Sequence, residues 1–151
     1  MPPFSGQVRT TRDSKNRVII PSKMRRAAGD LAQEGFYVTE GMDGCIKIQT
    51  VARFVEVSEQ DAKKTARNTM AGRMLERLSF ANAEPTQCDR QGRLRLPAQL
   101  LQDLQIGKDL VVAGVNDRIE VWDAARWDQI LEEARRHREK NAEQVHRGPE
   151  E

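Results

Sequence analysis

The chain has 151 residues, 38% hydrophobic and 32% charged, which suits one ordinary domain or two very small ones. No apolar run approaches the roughly 18 residues that span a bilayer, and the N-terminal MPPFSGQVRT lacks the apolar stretch of a secretory signal, so a cytoplasmic location is expected. The net charge of +2 hides an uneven distribution: residues 1–28 hold seven Lys or Arg against Asp13 alone, a basic face that favours a polyanionic partner.

Taken from the N-terminus, Gln7 to Arg12 and Arg17 to Ile20 are short β-prone stretches joined by a tight loop. Asp13 is placed to cap that loop by accepting backbone N–H groups downstream, and Asn16 stands where a positive φ is needed. A short helix is predicted after Pro21, because proline is tolerated in a first helical turn, and Gly29 is placed to stop it. A hairpin follows, Phe36–Glu40 and Cys45–Ile48, turning at Asp43-Gly44. Residues 52–80 read as one broken helix or two.

The chain then repeats itself. DSKNRVIIP (Asp13 to Pro21) and DRQGRLRLP (Asp89 to Pro97) share Asp, Arg and Pro in register at an offset of 76, with Leu94 and Leu96 answering to Val18 and Ile20. FYVTEGMDGCIKI and DLVVAGVNDRIEV align at an offset of 73, with Gly41 over Gly114 and Ile46 over Ile119, and Phe54 then falls over Trp127. Such order and spacing indicate a duplication. Gly92 takes the turn position of Asn16, Asp89 that of Asp13, and a second hairpin is expected from Leu110–Ala113 and Arg118–Trp122 around Asn116-Asp117. A unit of about 60 to 75 residues buries little apolar surface alone, so the halves should share a core or oligomerise. Asp123 is placed as N-cap of a helix from Ala124 to about Lys140, with Trp127, Ile130, Leu131 and Ala134 as its packing stripe. From Asn141 the composition predicts disorder.

The first copy carries the chemistry. Arg9 and Arg12 lie on its first strand, Lys15 at the loop tip, Arg17 at the start of the second strand, and Lys23, Arg25 and Arg26 on the helix. A protruding β-hairpin is slim enough for the major groove, arginine suits the O6/N7 edge of guanine, and the other cations would hold phosphates. The plainer alternative is a set of solvated cations, with Asp13–Arg17 an intraloop pair worth under about 1 kcal/mol. The second copy keeps Asp89, Arg90, Arg93 and Arg95 but has Pro85, Leu101 and Gln102 in the places of Arg9, Arg25 and Arg26, so the first copy should dominate.

Catalysis finds little support. There is no G-x-S-x-G, P-loop, G-x-G-x-x-G or H-E-x-x-H pattern. Cys45 and Cys88 are too far apart for a C-x-x-C site and read as semi-buried thiols; His137 and His146 lie in the polar C-terminal tail. Glu132 is placed to pair with Arg136 on a helical surface. No metal, cofactor or small-molecule substrate is expected.

The run V-R-x-x-x-D-x-x-x-R-V-I-I-P-x-x-M-R-R from Val8 to Arg26 closely resembles the AbrB/SpoVT swapped-hairpin DNA-binding motif. Two such motifs, the Pro after each and the block IEVWDAARW (Ile119 to Trp127) resemble the MraZ family of small bacterial regulators. The resemblance implies an α+β fold in which two tandem β-α-β motifs form one pseudo-twofold, barrel-like core with flanking helices, an intrachain counterpart of the AbrB-type dimer. The expected organisation is a first motif over 5–50, a helical connector over 51–80, a second motif over 81–124, a C-terminal helix over 125–140 and a tail over 141–151. The resemblance also implies homo-oligomeric rings that bind direct repeats in promoter DNA of the division and cell-wall gene cluster, including their own operon, in the nucleoid. It assigns DNA contact to Arg17, family positions to Asp13 and Lys15, and the second motif arginine to Arg93, while Arg9, Arg25 and Arg26 fall on basic positions of the AbrB-type motif. Where the family loop has Gly, this chain has Asn16; the turn is expected to survive, with an added hydrogen bond. A reading from another class is a protein-interaction or antitoxin-like module without specific DNA binding.

Overall fold

The computed structural model describes residues 1–64 and 67–147. In chain order the elements are β1 (Gln7–Thr11), β2 (Arg17–Ile19), α1 (Ser22–Ala28), β3 (Phe36–Glu40), β4 (Ile46–Thr50), α2 (Val51–Lys64), α3 (Met70–Ala81), β5 (Glu84–Thr86), β6 (Arg93–Arg95), α4 (Ala98–Asp103), β7 (Asp109–Val115), β8 (Arg118–Asp123), α5 (Ala124–Arg136) and α6 (Arg138–His146), with a 3-10 turn at Gly29–Glu34 after α1. Each copy is therefore strand, loop, strand, short helix and hairpin, as the repeat implies.

The pairing is what the local sequence does not show. β1 and β2, joined by the tight loop, form no ladder with each other. β1 instead runs antiparallel to β7 of the second copy, Val8 opposite Val112, and β5 of the second copy runs antiparallel to β3 of the first, Tyr37 opposite Pro85. Among the described residues β2 and β6 pair only with one another. The result is a six-stranded sheet in the order β1-β7-β8-β4-β3-β5 and a two-stranded ribbon β2-β6. A simple protruding β1–β2 hairpin is thus replaced by an exchange of strands between copies, the pseudo-twofold arrangement that the swapped-hairpin resemblance implies. The reason is burial: Val18 and Ile20 face inward only if β2 lies across the core beside Leu94 and Leu96, and all four are buried there.

One core lies between the ribbon, α1, α4 and the inner face of the sheet, where Phe36, Val38, Ile46, Ile48, Leu110, Val112, Ile119 and Val121 alternate with outward residues. On the outer face Cys45, Val111, Ala113 and Trp122 form a second cluster beneath Trp127 and Ile130 of α5. The predicted stripe is thus packing, although its far end, Ala134, is exposed. The connector does the same for the other half: Phe54 of α2 stacks on Tyr37 with ring centroids 4.1 Å apart, and Phe80 of α3 lies 5.7 Å from Phe54. Phe54 and Trp127, aligned by the repeat, anchor their helices to the same face of one sheet.

Turn chemistry follows the sequence closely. Asn16 and Gly92 have φ of 61° and 81°, and Asp43 and Gly44 have 65° and 94°, both positive as a tight hairpin needs. Gly29 ends α1 with φ 57°, its N–H donating to Arg25 and Arg26 carbonyls. Asp123 does stand at the N-cap of α5, yet its carboxylate accepts from the Gly107 N–H at 2.9 Å rather than from the helix. At the C-terminus the helix breaks at His137 and resumes as α6 to His146, where disorder was expected from 141. Ala, Glu, Gln and Lys are strong helix formers, and Glu143 pairs with Arg147 at i,i+4, so the segment is helical although none of its residues is buried. The remainder of the expected tail, 148–151, lies outside the described residues.

Candidate nucleic-acid interface

Two loops of identical construction carry the motif residues. In the first, Asp13 Oδ1 accepts the Lys15 and Arg17 backbone N–H groups, both at 2.9 Å, and Oδ2 accepts Arg17 Nε at 2.7 Å. In the second, Asp89 Oδ1 accepts the Gln91 and Arg93 N–H groups at 2.9 Å, and Oδ2 accepts Arg93 Nε at 2.7 Å. Each aspartate is thus both loop cap and the anchor of its motif arginine. The intraloop ion pair is real, and it leaves each guanidinium held in one orientation at the mouth of β2 or β6.

These bonds set an acid limit. The Arg17 backbone N–H, opposed by partial desolvation and joined by the Arg17 side chain and the Lys15 N–H, lowers the Asp13 carboxyl from 3.8 to about 2. Asp89 is lowered for the same reasons, led by the Arg93 N–H. A carboxylate depressed on folding stabilises the protein above its unfolded pKa, and that contribution is lost as pH falls through the folded value. From these two groups, thermal unfolding should be insensitive to pH above about 5 and weaken toward pH 2. The Asp13→Asn, Asp89→Asn double variant should show a shallower acid dependence, and an unchanged acid profile would remove this account.

The ribbon places the motif arginines beside each other. Arg17 lies opposite Arg95, and Arg93 opposite Ile19, while Val18 and Leu94 between them point into the core. The outward face of β2-β6 therefore carries Arg17, Ile19, Arg93 and Arg95, and no acid stands on either strand. Lys15 and Arg90 are exposed at the tips of the two loops. Arg90 and Arg95 were noted only as survivals in the second copy, yet the alternation R-L-R-L already set Arg93 and Arg95 on one side and Leu94 and Leu96 on the other.

The other sequence-selected cations do not join a single cluster. Arg9, on the open edge strand β1, forms an ion pair with Asp128 of α5, beside the Trp127 Nε1 bond to Gln7 at 2.9 Å. Arg12 donates through Nε to the Gly107 carbonyl at 2.8 Å and through Nη1 to Asn16 Oδ1 at 2.5 Å. The second is the added bond expected of Asn16 in place of Gly. Arg25 donates through Nε to the Ile20 carbonyl at 2.9 Å and lies over Gly92, its guanidinium carbon 2.6 Å from where a Cβ would stand. A first-copy arginine thus packs on the second-copy turn. Lys23 extends its ammonium over Gly6, and Arg26 is exposed on α1.

Elsewhere, Arg53 of α2 pairs with Asp117 at 2.9 Å and Arg118 pairs with Asp117 and Glu120, tying the connector to the β7–β8 turn. Cys45 is fully buried, donates to the Met42 carbonyl at 3.2 Å, and burial pushes its thiol up to about 12; Cys88 is half-buried. Among the described residues no group of His, Cys, Asp and Glu is arranged to hold a metal ion, and no helix is long and apolar enough to cross a membrane.

An α+β chain with two exchanged copies of one strand-loop-strand-helix motif, meeting in an arginine-faced ribbon, defines the class: a tandem swapped-hairpin protein. Comparison with known families agrees in both halves. The model of the family described as "MraZ protein, putative antitoxin-like" matches twice, over residues 4–78 and 79–148, and the chain belongs to the MraZ family. It is 39% identical over 129 residues to the "Transcriptional regulator MraZ" of Symbiobacterium thermophilum, covering 85% of this chain and 90% of that one. It is 38% identical over 117 residues to the protein of that name in Finegoldia magna, covering 78% of each. The relative in Natranaerobius thermophilus, also so named, is 32% identical over 142 residues, covering 94% of this chain and 96% of its own length.

Proposed function

We propose that the chain is a sequence-specific DNA-binding transcriptional regulator, not an enzyme, acting in the cytoplasm on nucleoid DNA. Its targets are direct repeats in the promoter of the division and cell-wall gene cluster, including its own operon, and it binds them as a homo-oligomeric ring. The observation that carries the reading is the pair of Asp-anchored arginines, Arg17 and Arg93, on one outward ribbon face without a compensating acid on its strands. Arginine oriented in this way can offer its fork to guanine, and the tip cation Lys15 and helix cations Lys23 and Arg26 can hold phosphates. Asp13 serves by orienting Arg17. Arg12, through the Asn16 side chain, and Arg25, packed over Gly92, steady the two loops that carry the contacts, and Arg9 contributes once it exchanges Asp128 for phosphate. One ribbon is too small for tight specific binding, so several on a ring would engage successive repeats at high effective concentration.

Fluorescence anisotropy against the chain's own upstream promoter and a scrambled duplex, at two salt concentrations, tests this. A preference for the promoter that persists at the higher salt is the expected result. Equal, salt-sensitive binding to both would reduce the ribbon to a generic basic surface. Binding to neither would favour a protein-interaction module, for which Met74, Leu75, Leu78 and Phe80 on α3, all substantially exposed, offer an apolar face.

A further inference from the structure

The register of the ribbon singles out Arg95, to which neither the motif nor the family resemblance assigns a role. The Ile20 N–H donates to the Gly92 carbonyl and the Leu96 N–H to the Asn16 carbonyl, both at 2.8 Å. Residues facing each other in an antiparallel pair alternate between hydrogen-bonded and close, non-hydrogen-bonded positions. With Ile20–Gly92 and Asn16–Leu96 in bonded positions, Val18–Leu94 is bonded as well, and Arg17–Arg95 and Ile19–Arg93 are the close pairs, with Cα atoms about 4.5 Å apart. Two arginines thus face each other at the shortest spacing a sheet allows, on its solvent side. Asp13 offsets the charge of Arg17 at 2.7 Å, so Arg95 is the member of the pair left without an acid partner among the described residues.

The two members differ. Arg17 is held by Asp13 through Nε and half-buried, whereas Arg95 is exposed and has no hydrogen bond or ion pair among the described residues. Resting on the regulatory reading above, we infer that Arg95 takes a backbone phosphate of the duplex that Arg17 reads, so that the anion balances the guanidinium that has no acid partner of its own. A tethered guanidinium suits recognition of one base edge. An untethered one beside it suits a phosphate, whose position varies little with sequence.

The test compares the parent with Arg95→Ala and Arg95→Lys by anisotropy on promoter and scrambled duplexes over a series of salt concentrations. Arg95→Ala should bind both duplexes about five- to tenfold more weakly, keep the parent's promoter preference, and lower the slope of log K against log salt by about one. Arg95→Lys should restore most of the affinity, since a phosphate accepts either cation. Thermal unfolding of Arg95→Ala should match or exceed the parent, which separates lost contact from lost fold. Loss confined to the promoter would overturn the inference and make Arg95 a base reader; so would binding indistinguishable from the parent. A parent that binds neither duplex would remove the regulatory reading itself, and this inference with it.

Discussion

Gly114→Ala is expected to destabilise the protein by about 1–3 kcal/mol, measured by urea unfolding. Gly114 lies in β7, and its need for glycine is one of space rather than conformation. A Cβ there would meet the Ser5 nitrogen, the Phe4 carbonyl carbon at 2.7 Å and the Ser5 Cα at 2.8 Å. These are backbone atoms that cannot swing aside. They belong to the N-terminal segment, which is fixed by the Gly114 N–H to Gly6 carbonyl bond at 2.8 Å and by the exchanged Phe4 and Asn116 bonds at 2.7 and 2.9 Å. Phe4 is 2% exposed within the main core, so moving this segment draws a phenyl ring out of the interior. Phe4→Ala, which empties the ring's place in the core, should cost more, about 3–5 kcal/mol. The double variant should cost much less than the sum, since both changes release one contact. Additive losses, or a Gly114→Ala protein as stable as the parent, would show that the segment is not held in this way.

The second large effect is on binding. Arg17→Ala should weaken promoter binding by about 1–3 kcal/mol and leave assembly intact. Because Arg17 also closes the Asp13 loop, some of any loss could reflect a looser turn, and Arg93→Ala supplies the control. The second loop repeats the three aspartate bonds of the first, at 2.9, 2.9 and 2.7 Å, so the two substitutions remove the same anchor, and the melting temperature of each variant reports what its own loop loses. Where the two melting temperatures agree, a difference in DNA affinity belongs to the DNA contact. With the basic residues concentrated in the first copy, Arg17→Ala is expected to be the more damaging. An Arg17→Ala protein that binds the promoter as the parent does would end the assignment of Arg17 as reader.

The duplication was legible because whole segments recur in register at offsets of 76 and 73, and the positive-φ turns at Asn16 and Gly92 and the capping by Asp13 and Asp89 because each depends on residues within a few positions of one another. What was not legible locally is partner choice. Val18 is β-prone wherever it stands, but that it lies beside Leu94 is decided by which arrangement buries both copies' apolar residues at once. The same limit governs the site. Arg9 and Arg12 are close in sequence and part company in the fold, one to Asp128 and the other to Gly107, and Arg25 crosses to the opposite copy's turn. Composition also misjudged α6, since charge and low hydrophobicity rule out packing and do not rule out a solvated helix.

The exchange of β1 and β5 between copies has a temporal consequence. The β3–β4 hairpin can form as soon as it leaves the ribosome, but β1 has no neighbour until β7 is made. At about 5–20 residues per second, β1 emerges on the order of 5–20 s before its partner. Throughout that wait a basic edge strand and the apolar residues of β2 stand unpaired, and such long-range pairing is intrinsically slow to form even once both partners exist. The newborn protein thus spends its first seconds as an unfinished half whose template lies downstream, and slowing translation across the connector would lengthen its exposure to aggregation while adding nothing to the stability of the finished fold.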